Sequence, residues 1–235
     1  LWGVARGLND GFHLDIDLDF ARREADRIAA LLQALRRRHD LSRYEYTRVV
    51  RIVPGGDTFA HPVLTLGNRF ADTEDQLLST YLHEQMHWYL WLLGTPDVDV
   101  VAPFMDDLVR RYPQAPVTLP DGARNYEATY VHLVVNWLEV ATLSEFIGRE
   151  RAVALARAQK SYRWIYRTVL EDWDWLADLF ERHGLVPIRP AQSLLNTQPP
   201  APPSAGKRKS RAGSRPPASP RSRRGPRARG GRSAG

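Results

Sequence analysis

The sequence predicts an α+β protein, with a small N-terminal sheet, one buried helix carrying a His-Glu cluster, a mostly helical second half and a basic tail. Three observations lead there. Two short β-rich runs lie early in the chain, five segments repeat apolar residues at helical spacing, and the composition changes abruptly near residue 197. The expected division is a folded body over 1–196 and a tail over 197–235.

Residues 16 to 39 place Phe20, Ile28, Leu31, Leu32 and Leu35 at helical spacing, with acids early and arginines late, as the helix dipole prefers. Residues 44 to 53 are rich in β-branched and aromatic side chains and stop at Pro54-Gly55-Gly56-Asp57, the signature of a strand and turn. A second short strand is expected over His61 to Leu66. Thr73 and Gln76 form a capping-box pattern that opens a helix running to Gly94. A shorter helix is expected from Pro103 to before Pro113. A long apolar one follows over about 125 to 147, and a last helical region spans about 150 to 183, closed by Gly184 and the Pro187 to Pro190 segment.

Charge and composition exclude several functions. The 235 residues carry 33 Lys and Arg against 27 Asp and Glu, a net charge of +6. Eleven of the basic residues lie beyond position 206 and the last acid is Glu181. The body is therefore acidic, and about 195 residues suffice for one sizeable core. Without cysteine there is no disulfide, thiolate zinc site or iron–sulfur cluster, so any metal must be held by His, Asp or Glu. Apolar runs fall short of a membrane span, and Arg6, Asp10, Asp15, Asp17 and Asp19 interrupt any leader-like stretch. No membrane association is expected, and a cytoplasmic location is, although a cysteine-free chain suits either redox environment.

The segment TYLHEQMHWYL, residues 80 to 90, carries the chemistry. His83 and His87 stand at i and i+4, so on a helix they project from one face about 6 Å apart, close enough to share one metal ion. Glu84 lies where it can reach a metal-activated water without being a ligand, the H-E-x-x-H arrangement in which the Glu takes the water's proton. Leu77, Leu78, Tyr81, Leu82, Trp88, Leu90, Trp91 and Leu92 make the surrounding helix apolar on nearly all sides. Two histidines and a glutamate there are costly to desolvate unless paired or metal-bound. The competing reading is a satisfied pair of core histidines.

On HEQMH and its place after a short strand, the sequence resembles the zincin metallopeptidases, over about residues 40 to 147. The resemblance implies a zincin-like fold, a Zn2+ cofactor and a peptide or protein substrate, with His61 to Leu66 as a strand that pairs with extended peptide. The WYLWLLG that follows His87 lacks the downstream Gly and His of the metzincins, which are excluded.

A catalytic zinc needs a third protein ligand. His132, Asn136 and Glu139 form a polar stripe on the apolar 125–147 helix, and i to i+7 spans about 10 Å, so His132 and Glu139 can hardly bind one ion together. The resemblance to gluzincins favours Glu139 as the ligand beside His83 and His87. His132 then becomes a catalytic candidate beside Glu84, as donor to the developing oxyanion. His132, Glu127 and Glu145 are the alternative ligands, and Tyr130, Tyr162 and Tyr166 the other donors. For Asn136 a helix–helix hydrogen bond is expected.

Other features carry less. Asp15, Asp17 and Asp19 lack the spacing of a calcium loop and fit a helix N-terminus. His183 suits a helix C-terminus. No phosphate-binding loop, dinucleotide fingerprint or nucleophile elbow is present. The tail, rich in Arg, Pro, Ser and Gly, has nothing to bury and is expected to be disordered. It could contact nucleic acid nonspecifically through phosphates, contact the acidic body, or reflect only base composition. The leading expectation is a zinc-dependent hydrolase cleaving peptide bonds. The alternative is a nonenzymatic zinc-binding protein, or one that acts on nucleic acid through its tail.

Overall fold

The computed structural model describes residues 18–69, 71–94 and 101–195, all within one compact unit. The acids at Asp15 to Asp19 and the basic segment 197–235 lie outside the residues whose side chains are described.

The architecture is mostly helical with one two-stranded parallel sheet, an α+β arrangement. Helix α1 (Leu18–Arg38) leads through a 3₁₀ turn (Leu41–Tyr44) to β1 (Val50–Ile52) and β2 (Leu64–Leu66). Then come α2 (Glu74–Gly94), α3 (Val101–Arg111), α4 (Tyr126–Ile147), α5 (Arg149–Ala158), α6 (Arg163–Glu171), α7 (Trp173–Arg182) and α8 (Ala191–Leu195). Among the described residues no helix is long and apolar enough to cross a membrane.

The first expected strand shortens to three residues for a physical reason. Tyr44, Glu45 and Tyr46 are all buried, which a two-residue alternation does not allow. Each is held instead by a helix or by the C-terminal segment. The Tyr44 hydroxyl donates to Glu145 at 2.6 Å, Arg36 grips both oxygens of Glu45 at 2.6 and 3.0 Å, and the Tyr46 hydroxyl donates to the Arg189 carbonyl at 2.6 Å. Gln85, inside the motif helix, exchanges two hydrogen bonds with the backbone of Thr47 at 3.1 and 2.9 Å, as a neighbouring strand would.

The second strand also starts later than expected, at Leu64, beyond Pro62, which has no N–H to donate. Val50, Arg51 and Ile52 pair in parallel with Leu64, Thr65 and Leu66. On the other side of β2, Phe59 and Thr65 exchange backbone hydrogen bonds at 3.0 and 2.8 Å. β2 is thus buried and paired on both sides at Thr65, which overturns the expectation that His61 to Leu66 offers an edge to a peptide.

Helix α2 begins with the expected reciprocal box. Thr73 N–H donates to the Gln76 side chain at 3.1 Å and Gln76 N–H to the Thr73 hydroxyl at 3.2 Å. α4 is capped by Asn125, whose side chain accepts from Ala128 N–H at 2.7 Å. These two helices pack most extensively on one another and form the centre of the core. The last helical region divides into α5, α6 and α7, with breaks at Gln159–Tyr162 and at Asp172. It ends as expected at Gly184, whose φ of 68° lets Leu185 N–H return to the Phe180 carbonyl at 2.8 Å.

The segment between α3 and α4 is fastened to both α4 and α6. The Thr129 hydroxyl donates to the Pro116 carbonyl and accepts from Ala123 N–H, both at 2.9 Å. Gly122 lies so close that a Cβ would sit 1.8 Å from the Pro116 carbonyl oxygen. Arg163 and Trp164 of α6 donate their backbone N–H groups to the carbonyls of Pro120 and Asp121.

Candidate metal centre

A cleft of about 490 Å³ opens over the junction of α2 and α4. Its floor carries His83, Glu84 and His87 from α2 and His132 from α4. One wall is the segment 56–61, pinned to the sheet through Phe59. The other is the pair of turns at Leu119–Arg124 and Gln159–Tyr162, joined by the α6 backbone bonds just described.

Three imidazoles meet on the floor. The ring centroids of His83, His87 and His132 are 5.1, 5.5 and 5.0 Å apart, and one nitrogen of each falls within 4.8 Å of the others. This group can hold a metal ion. In two of the rings Nδ1 is engaged elsewhere, which leaves Nε2 as the free donor. His132 Nδ1 is 2.6 Å from the Ala128 carbonyl, a contact that requires its proton there. His83 Nδ1 is 2.9 Å from Oε2 of Glu139, so its proton is shared with a carboxylate.

The expected third position is therefore filled differently. Glu139 is buried and fully engaged: Oε2 accepts from His83 and from the Tyr166 hydroxyl at 2.7 Å, and Oε1 accepts from the Ser79 hydroxyl. It is bonded to Nδ1 of His83 and is not one of the three grouped ligand residues. His132, expected to act on substrate, stands with the two motif histidines instead. The physical reason is the antiparallel pairing of α2 and α4, which sets Glu139 against Ser79 and His83 and leaves His132 beside His87. Glu145 is taken up by Tyr44, and Glu127 is exposed in the first turn of α4.

The same contacts separate the tyrosines. Tyr130 donates to the Tyr112 carbonyl at 2.8 Å and Tyr166 to Glu139, so neither hydroxyl is available to a ligand. Tyr162 lines the cleft, its ring 4.4 Å from that of His132 and parallel to that of His83 at 6.5 Å. Among the described residues it is the only non-glycine with positive φ, at 58°. That conformation is unfavourable for a bulky residue and persists only where the surroundings enforce it. Asn136, expected to bond between helices, is buried and has no partner for either side-chain atom.

Electrostatics follow from burial. Desolvation, with the charge of His83, pushes His132 down to about 4 and His87 well below the ordinary histidine range, so both offer neutral lone pairs. Burial opposes charge on His83 too, but the hydrogen bond and charge of Glu139, with that of Glu84, outweigh it and raise its pKa. Burial lifts the Glu84 carboxyl to about 7, against the charge of His83 and with that of Glu139.

Four contributors escaped the sequence reading: Ser79, His61, Arg69 and Arg124. Ser79 had a legible signal, standing four residues before His83 on the same face. The others reach the cleft through loop geometry that spacing does not encode. Compared with known proteins, the chain matches no family model, no curated protein and no solved structure.

Two outcomes are expected. Glu139→Gln, which removes the charge beside His83, should weaken metal affinity about 10- to 100-fold while one ion still binds per chain, as read by competition with a chromophoric chelator. In the metal-free protein, His132 and His87 stay neutral where the unfolded chain takes up protons, so the stability these two contribute is lost as pH falls below about 6.5. His132 alone should cost about 2 kcal/mol between pH 7 and pH 5; His83 and Glu84, whose raised pKa values have the opposite sign, oppose it, so the cost is read as the difference between wild type and His132→Gln. Denaturant melts of the metal-free protein at the two pH values measure the difference.

Proposed function

We propose that the protein is a zinc-dependent hydrolase of peptide bonds, with His83, His87 and His132 as ligands and Glu84 as general base. The observation that carries this reading is the convergence of three imidazole nitrogens, from two helices, at the floor of an open cleft with a carboxylate beside them. Three imidazole nitrogen donors with an open side suit a catalytic zinc, and the absence of thiolates argues against a closed structural site. In this reading Glu139 orients a ligand instead of binding metal, and His132 binds metal instead of substrate.

A zinc ion held there supplies the Lewis acidity that brings the pKa of a water toward 7. The chain's own groups do the rest. Glu84, buried and raised to about 7, takes a proton from the attacking water and returns it to the leaving amine. Tyr162 donates its hydroxyl to the oxyanion that develops on the substrate carbonyl. Burial and the charge of Glu84 raise its pKa and keep that proton in place. Glu139 and the Ala128 carbonyl hold the imidazoles of His83 and His132 in the required tautomer.

A peptide also fits the wall opposite Tyr162. Because Phe59 turns both of its backbone groups toward Thr65, the alternation of an extended chain turns those of Thr58 and Ala60 the other way. The Ala60 carbonyl accepts from the Trp88 indole at 2.9 Å, which leaves the Thr58 groups and the Ala60 N–H for an extended ligand. The strand-pairing role expected of His61 to Leu66 thus passes to 57–61.

Glu84→Gln should retain one zinc per chain and lose peptide cleavage, measured on a mixture of unstructured peptides by mass spectrometry. A wild-type protein that binds no stoichiometric zinc would overturn the reading. Tyr162→Phe should lower kcat by about 10²- to 10³-fold with KM little changed, the pattern of a donor that acts on the transition state.

A further inference from the structure

The distribution of charge around the cleft narrows the substrate. The wall made by the turns at 119–124 and 159–162 presents Leu119, Ala123, Arg124, Gln159, Ser161 and Tyr162, with one cation and no acid. Asp121, in the same turn, is paired with Arg163 at 3.0 Å. Arg124 is exposed and makes no ion pair or hydrogen bond among the described residues. The opposite wall has both Arg69 and Asp57 among its lining residues and is neutral by count, so the net positive charge of the two walls lies on the Tyr162 side.

The position of Arg124 is unfavourable for the fold. It immediately precedes Asn125, the N-cap of the 22-residue helix α4, where the helix dipole favours an anion over a cation. The body is acidic overall, so long-range attraction of acidic ligands does not explain an arginine here either. A carboxylate arriving from solution would meet the guanidinium and the positive end of α4 together. Ala128, between Arg124 and His132, has too small a side chain to block the path.

From this we infer that the cleft recognises a substrate carboxylate through Arg124, a few residues from the bond to be cut. The inference rests on the hydrolase reading for its reaction but not for its recognition. His132 lies seven residues into the chain from Asn125, about 10 Å along the helix axis. An extended peptide advances about 3.3 Å per residue, so the carboxylate belongs two or three residues from the scissile bond. It is either an Asp or Glu side chain or the free C-terminus of the peptide. The two differ in consequence, since the first makes the enzyme an acid-directed endopeptidase and the second confines it to chain ends.

The test uses the full-length zinc-loaded protein and three peptide sets. The first is a series of N-acetylated, C-terminally amidated octapeptides in which one Asp moves through every position. The second is the same series with Asn, and the third is the neutral octapeptide with a free C-terminal carboxylate. The expected result is a kcat/KM about tenfold or more higher for a carboxylate peptide than for its amide counterpart, with the responding set identifying the source. Arg124→Gln should bring that ratio to about 1 with zinc stoichiometry unchanged, and Arg124→Lys should keep part of it. A wild-type ratio near 1, or one that survives in Arg124→Gln, overturns the inference. Equilibrium binding of the same peptides to the Glu84→Gln protein, at low and high salt, gives the ratio without turnover. If no peptide is cleaved but the binding ratio is present and lost in Glu84→Gln/Arg124→Gln, the hydrolase reading fails and carboxylate recognition stands. If peptides are cleaved but acid and amide peptides bind equally, the carboxylate inference fails and the hydrolase reading stands; no cleavage together with equal binding fails both.

Discussion

The contact on which the metal centre depends is the one between Glu139 and His83. A carboxylate buried between two apolar helices is expensive unless both oxygens find donors, and here His83, Tyr166 and Ser79 supply three hydrogen bonds. The same bonds tie α2 to α4 and α4 to α6, so the energetic demand of one side chain fixes the register of three helices. His132 arrives beside His87 as a result of that register. The metal group and the core are in this sense one construction, since the polar groups that would weaken the core are those that aim the imidazoles.

Strain and unpaired groups gather around the same place. Tyr162 occupies a left-handed conformation because the first N–H groups of α6 are claimed by the carbonyls of Pro120 and Asp121, which forces the preceding residue to turn over the cleft. Asn136, on the stripe with His132 and Glu139, has both side-chain atoms unpaired. Local rules are broken where chemistry is expected and obeyed at the N-termini of α2 and α4, the pattern of a fold that yields stability at its functional centre.

Much of this was legible in the sequence. The box at Thr73 and Gln76, the stop at Gly184 and the placing of His83 beside His87 follow from local spacing, and local spacing determined them. What failed needed the rotation of one helix against another. The i, i+7 separation rightly forbids His132 and Glu139 from sharing an ion, but it does not say which of them faces the motif. The resemblance to gluzincins favoured Glu139, whereas Ser79, one turn before His83, was the available hint of a carboxylate partner at that level. Residues 44 to 53 read as one strand because aromatic and β-branched residues suit a sheet. Val50–Ile52 do pair as β1, but Tyr44, Glu45 and Tyr46 serve as anchors to α4, α1 and the C-terminal segment, and composition cannot distinguish the two uses.

The two turns that face Tyr162's side of the cleft hang from one another and from Thr129, through backbone groups and a hydroxyl that take no part in holding the imidazoles. If the protein is the hydrolase proposed, this separates the reaction it carries out from the substrate it takes. Side chains at 119, 124, 159 and 161 can be exchanged without altering a bond that positions His83, His87 or His132, so preference for one ligand over another is free to drift while the reactive centre stays constant. A lineage built on this scaffold would diversify in that wall first, and its members would share their floor long after they had ceased to share a substrate.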